Sequence, residues 1–409
     1  MIQITSLKAI FTIACSAVIL SCSKKEADST PTPSTSNILK GTISTDKVLV
    51  NGAATVDYYL EEIVEVEAKL TIEPGTVIVA KAGSGISFST PKGVVIAAGT
   101  ALKPIVFKSE SGAKGGWLGV KFQGSNNPLN QLSYVTITDG GSTSFDGDES
   151  KKANIQFAGV NQMKMDHCIV ANSANWGIYE TYSSDLTLID FDSNQFKSNT
   201  NYPLFLFDHT AKDLGSSSVF SDNTKNYIAL RQKNFDGLPG AHTWKKQAVP
   251  YYWDGTDNLV IGYYNTNGNL TLEAGAQLVM GPGTGIVVGD NANSTGFLKL
   301  MGTSTSNVLI KGESAVKGFW KGIFIRTNSV GNDFLFAKIS DAGSTNLSGT
   351  GSKANVVVDG DAMLKMTNVF LGNSAGCGYT KNIGATIPGA VTGINLTYAT
   401  NTGGNVCTY

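Results

Sequence analysis

From about residue 38 onward the apolar residues come in short runs. Val77-Ile78-Val79, Val94-Val95-Ile96, Ile105-Val106-Phe107, Val135-Thr136-Ile137, Asn154-Ile155-Gln156-Phe157 and Cys168-Ile169-Val170 are rich in β-branched residues and bounded by Gly, Asn, Asp or Ser. That pattern predicts strands packed on one face and separated by tight turns. Past the N-terminal segment, no window of twelve or more residues sustains an apolar stripe of period 3.6, so no long helix is predicted. The strand-like pieces return irregularly every 20 to 30 residues, which is the spacing of coils in a solenoid.

A longer period lies over this one. Leu70-Thr71-Ile72-Glu73-Pro74-Gly75 matches Leu270-Thr271-Leu272-Glu273-Ala274-Gly275, and Gly83-Ser84-Gly85-Ile86 matches Gly283-Thr284-Gly285-Ile286. Lys114-Gly115-Gly116-Trp117-Leu118-Gly119 matches Lys317-Gly318-Phe319-Trp320-Lys321-Gly322. Ile137-Thr138-Asp139-Gly140-Gly141-Ser142 matches Ile339-Ser340-Asp341-Ala342-Gly343-Ser344, and Lys152-Ala153-Asn154 matches Lys353-Ala354-Asn355. The offset stays between 200 and 203, which predicts a tandem duplication. Val249-Pro250-Tyr251-Tyr252-Trp253 echoes Val56-Asp57-Tyr58-Tyr59-Leu60, so the second copy begins near residue 240. No low-complexity linker intervenes, and one continuous rod is expected, with residues 38–60 capping its first edge.

The run LTIEPGTVIV, GVVIAAGT, PIVFKS, GGWLGVKFQG and LSYVTITDGG, written again in the second copy, resembles the right-handed parallel β-helix repeat proteins exported by Gram-negative bacteria. The resemblance implies an all-β fold, a single-stranded right-handed parallel β-helix built from two tandem copies. At ~22 residues per coil this would be roughly 16 coils and a rod of about 80 Å. The family hosts adhesins, glycan binders and lyases, so the likeness implies a fold and not an activity.

The N-terminus reads as an export signal over residues 1–21. Lys8 supplies the positive charge, and the apolar run Ala9 to Leu20 is too short to span a membrane, which takes ~20 residues. Ile19-Leu20-Ser21-Cys22 resembles the bacterial lipobox, which implies lipidation of Cys22 with palmitate-type acyl chains and anchoring in the outer membrane. The charged run Lys24-Lys25-Glu26 is similar to signals that send lipoproteins to the cell surface. Residues 22–37, rich in Ser, Thr and Pro, read as a flexible tether. The body then divides into copy 1 over 38–240 and copy 2 over 241–409.

Composition narrows the function classes. The net charge is -1, charged residues make up 15% and hydrophobic residues 41%, and arginine occurs only at 231 and 326. Nucleic acid is excluded as a partner for want of a basic stripe. Disorder is excluded by the apolar content. The 46 glycines in 409 residues suit strands joined by turns.

Candidate chemistry is sparse. Cys377 and Cys407 have no counterparts in the first copy and predict a structural disulfide in an oxidising compartment, while Cys168 reads as a buried thiol. Asp146, Asp148 and Glu149 crowd one loop and are candidate Ca²⁺ ligands. Its counterpart, Leu347 to Gly351, has no carboxylate, and a solvated acidic loop is the competing reading. Trp244, Tyr251, Tyr252 and Trp253 cluster at the junction and are candidates for stacking on sugar rings. Asp139 and Asp341, retained in both copies, read as turn residues. His167, His209 and His242 and the two arginines show no arrangement of a lyase or glycoside hydrolase, so no catalytic residue is assigned and no cofactor is expected. The expectation is a monomeric, lipid-anchored, surface-exposed binding or adhesion module with a glycan or surface protein as ligand. A polysaccharide lyase or hydrolase on the lateral face, and a structural spacer, are the alternatives.

Overall fold

A computed structural model describes residues 37–409 apart from 53, 90–91, 235–236, 256, 264–266, 290–293, 348–351 and 384–389. The expected signal, Cys22 and the tether up to residue 36 lie outside the described residues. The chain is all-β. Among the described residues the strands form one sheet of 14 strands, one of 8 and three of 6, and helix is confined to short 3-10 turns such as Glu149–Lys151 and Thr210–Asp213. The ladders are parallel, and as far as residue 180 each strand pairs with the strand three further along the chain. Thus Val77–Ala80, Gly85–Ser89 and Val94–Ala98 pair with Ile105–Ser109, Val120–Gln123 and Asn126–Ser133. This is the long-sheet, parallel arrangement compatible with a β-helix.

The 14-stranded sheet runs from Thr42–Ile43 to Thr397–Ala399, through both halves of the chain. At ~4.8 Å per strand it is about 60 Å tall, and one circuit of the chain takes about 27 residues. The expected 16 coils of ~22 residues were too many, because loops such as 139–152 enlarge individual circuits. The segment expected to cap the first edge holds short strands. Ile38–Leu39, Thr42–Ile43 and Lys47–Leu49 stand at the end of the 8-, 14- and first 6-stranded sheets.

Alternation along each strand builds the core. Inward residues from Leu39 to Leu371 join one continuous apolar cluster, and like side chains stack from strand to strand. Phe88, Phe122 and Phe157 stack with centroids 5.1 and 5.2 Å apart. Gly119 and Gly322 close the Gly-Gly/Phe-Trp-x-Gly turns at φ 114° and 120°, where an added Cβ would strike the carbonyl oxygens of Ala153 and Ala354. The buried indoles that precede them are matched too. Trp117 Nε1 donates to Thr138 O and Trp320 Nε1 to Ser340 O, both at 2.7 Å.

The two halves do not place matched segments on the same sheet. Val77–Ala80 lies on the 8-stranded sheet, but its match Gln277–Met280 lies on the 14-stranded one. Gly85–Ser89 lies on the 14-stranded sheet, and its match Ile286–Val288 starts its circuit one sheet later. The step happens between residues 219 and 244. Val219–Ser221 ends the 8-stranded sheet, Ile228–Arg231 continues the 14-stranded one, Leu238 bridges to Ile261, and Ala241–Trp244 opens a new sheet. That circuit holds four segments where its neighbours hold three.

Cys377 and Cys407 stand at disulfide distance, with Cα atoms 6.2 Å apart, on the paired strands Cys377–Lys381 and Gly404–Thr408. The cross-link spans 30 residues. Reduction, or Cys407→Ser, is expected to destabilise the protein by about 3 kcal/mol on the chain-entropy model, measured by denaturant unfolding with and without reductant. Unchanged unfolding under reductant would show that the thiols are not linked.

Candidate functional site

The residues singled out in the sequence do not converge on one site. Trp244, Tyr251 and Trp253 are fully buried, and Tyr252 is 6% exposed. The expected sugar platform at these four positions is therefore corrected: strand alternation turns Tyr251 and Trp253 into the core and Tyr252 onto the opposite face. Trp244 packs on Tyr251 at 5.4 Å. On the outer side Tyr252 stacks on Tyr202 at 5.7 Å, and its hydroxyl donates to Glu313 Oε2 at 3.0 Å.

The acidic loop spends its carboxylates on lysines. Lys151 Nζ lies 2.8 Å from Asp146 and 3.2 Å from Asp148, and Lys152 Nζ lies 2.7 Å from Glu149. Partial burial raises the Asp146 pKa, but Lys151 and Ser144 outweigh it and hold the carboxyl down at about 2. Among the described residues no three His, Cys, Asp or Glu side chains come together in a way that could hold a metal ion.

Asp139 and Asp341 occupy matched turns at φ 70° and 72°. Each accepts from an asparagine one circuit away, Asn172 at 2.6 Å and Asn373 at 2.8 Å. In both turns the Asp itself takes the left-handed conformation. Cys168 is a buried free thiol, pushed up to about 12 by desolvation.

The feature that sequence reasoning missed lies at the four-segment circuit. The extra segment spreads the chain and leaves a groove beside the end of strand Ile228–Arg231. A hollow of about 540 Å³ is lined by Tyr182, Arg231, Gln232, Lys233, Asp257 and Asn258. A second hollow of about 430 Å³ adjoins it, sharing Lys233 and Asn234, and is lined also by Asp185, His209, Lys212 and His242. Tyr182 is 64% exposed, the aromatic ring that this groove presents to solvent.

Lys233 stands between the hollows. Its Nζ lies 4.9 Å from the ring centroids of both Tyr182 and Phe207, and it donates to Tyr182 O. Arg231 lies over Phe205 at 5.0 Å and 3.4 Å from Asp254 Oδ2. Gln232 is pinned in place, donating to Asp208 Oδ2 at 2.7 Å and accepting from Val260 N at 2.7 Å. The rim is thus held by side-chain bonds across the junction.

Beneath it lies a cluster of buried titratable groups. Glu180 is fully buried and accepts from Phe207 N at 2.9 Å and Thr210 Oγ1 at 3.0 Å. Its other oxygen lies 3.9 Å from His209 Nε2. His209 Nδ1 lies 3.7 Å from Asp208 Oδ1 and its Nε2 3.5 Å from Asp185 Oδ1. Desolvation raises the Glu180 pKa against the pull of His209. Burial opposes the His209 cation, but Asp208, Glu180 and Asp185 prevail and raise its pKa. His242 goes the other way, lowered by burial, with its Nε2 2.7 Å from Pro239 O. Glu180 has no exposed surface, so it can hold the groove floor but cannot touch a ligand.

No motif of the sequence marked this stretch, which lies where the first copy gives way to the second. Comparison with protein-family models, with curated proteins and with solved structures finds no match for this chain. The fold and the groove therefore define a class only: an all-β protein of long parallel sheets with a polar, aromatic-edged cleft at the junction of its two halves.

Proposed function

We propose that this chain is a saccharide-binding module of the cell envelope, a right-handed β-helix of two tandem copies carried by a lipid on Cys22. The observation that supports the binding reading is the junction groove. An exposed tyrosine edges it, and the polar residues Arg231, Lys233, Asp257 and Asn258 line it. Sugars are recognised in this way, by an aromatic face under the apolar side of the ring and by fixed donors and acceptors around its hydroxyls. The lipid anchor, the outer-membrane location and surface exposure belong to the same proposal and rest on the N-terminal sequence. A glycan array followed by calorimetry on the hits tests it, with turnover measured on the same sugars. Binding without cleavage is expected. Tyr182→Ala and Lys233→Ala should each weaken it at least tenfold, about 1.4 kcal/mol, without moving the melting temperature. Binding that ignores both substitutions would remove the groove from the reading, and turnover would make the chain an enzyme.

A further inference from the structure

The outer face of the 14-stranded sheet carries Ser87, Lys121, Gln156 and Tyr179 on four neighbouring strands, in register. The matched segments of the second half carry Val287, Phe324, Val357 and Thr380 in the same order. Matched loops cover both stripes: Phe145 lies over Gly85, and Leu347 lies over Gly285. In the second half the counterparts of Lys121, Gln156 and Phe145 are apolar, with Phe324 and Val357 packed against Val287 and Leu347, while Thr380 is buried in the place of Tyr179. The fold does not require polar groups at the positions of Lys121 and Gln156.

The first half nevertheless buries them. Gln156 is 2% exposed, and neither Nε2 nor Oε1 has a hydrogen-bond partner. Lys121 is half-buried beside it, with Nζ 5.8 Å from the Phe145 centroid. Desolvation lowers the Lys121 pKa, opposed by Asp146 and Glu65. Leaving an amide unpaired in the interior is costly, and an apolar residue at the same place would avoid the cost.

We propose that Lys121, Gln156 and Phe145 form a binding site for an acetamido sugar, entered when the loop of residues 143–152 lifts. The Gln156 amide sets a donor beside an acceptor, the complement of an acetamido group. Phe145 offers a ring for the apolar face of the sugar, and Lys121 donates to its hydroxyls. The loop's ion pairs run within it, from Lys151 to Asp146 and Asp148 and from Lys152 to Glu149, so lifting does not break them. Its ties to the neighbouring circuit are the bonds from Trp176 Nε1 to Ser150 O, 2.8 Å, and from Trp176 N to Lys152 O, 3.1 Å. This site is separate from the junction groove and rests on the saccharide reading for its ligand class alone.

Calorimetric titration of the full chain with N-acetylchitotetraose and with cellotetraose tests it. The wild type is expected to bind the acetylated tetramer at least tenfold more tightly. Lys121→Phe with Gln156→Val, which installs the residues of the second half, should abolish that preference and raise the melting temperature by about 2–4 °C. Tyr182→Ala should leave the preference intact. Equal affinity for both tetramers in the wild type would overturn the acetamido assignment and leave the groove reading standing. Binding of neither would count against both. A double variant that melts lower, or keeps the preference, would make Lys121 and Gln156 parts of the scaffold and overturn the proposal.

Discussion

Trp253→Ala is expected to destabilise the protein by roughly 3–5 kcal/mol and to collapse the junction groove. The side chain is fully buried, and its Nε1 donates to Asp257 O at 2.9 Å, which fixes one groove wall. Its strand continues the 14-stranded sheet from Ile228–Arg231 to Gln277–Met280, so it joins the two halves. Alanine would leave a cavity at the circuit where the strand count changes and where neighbours are least free to close it. Trp253→Phe separates the two contributions: it retains most of the apolar area, forfeits the bond to Asp257, and should cost about 1 kcal/mol. Denaturant unfolding measures the stability change, and tryptophan fluorescence with saccharide titration reports the groove. A loss under 1 kcal/mol in the alanine variant would mean that the wall stands without the indole.

Asn199→Ala should cost a similar amount, roughly 3 kcal/mol, by a different route. Asn199 is fully buried at a corner between strands. Its Oδ1 accepts from Ser173 N at 3.1 Å, and its Nδ2 donates to Asn223 Oδ1 at 2.9 Å and to Val170 O at 3.3 Å. The neighbouring circuits continue the ladder, since Asn154 accepts from Gly140 N and donates to Ala171 O at 2.6 Å. Removing one member strands an N–H and a carbonyl inside the protein, at ~1–3 kcal/mol for each buried group left unpaired. Asn199→Asp keeps the acceptor, loses the donors and buries a charge, so it should fare no better at neutral pH. Equilibrium unfolding of the three proteins checks this, and an alanine variant as stable as the wild type would mean that the corner is solvated.

Part of this was legible in advance. The short β-branched runs lie on strands, the Cys377 and Cys407 pair stands at bonding distance, and the segments matched by the 200-residue offset make matching contacts at Trp117 and Trp320. These features are local in sequence, or are repeated, and so leave a pattern. Asn154 and Asn355 were visible as matched residues, yet nothing in the string shows that Asn154 satisfies backbone groups up to 17 residues away. The aromatic cluster at 244–253 was visible too, and its exposure was misjudged. Which face a strand residue takes depends on register, and a slip of one residue exchanges the faces.

The sequence by itself determined that this chain makes many short parallel-prone strands, turns on glycine and asparagine, and bears few charges, because hydrophobic alternation and turn chemistry act over a few residues. Tertiary structure alone decided that matched segments of the two halves would start their circuits one sheet apart, and hence that a groove would open at residues 182–258. That outcome is set by which strand edge Tyr251–Trp253 meets, a pairing with Ile228–Arg231 across the stretch where the first copy gives way to the second. Such a pairing is a choice among parallel edges of similar shape, and it is made by long-range packing rather than by any local pattern.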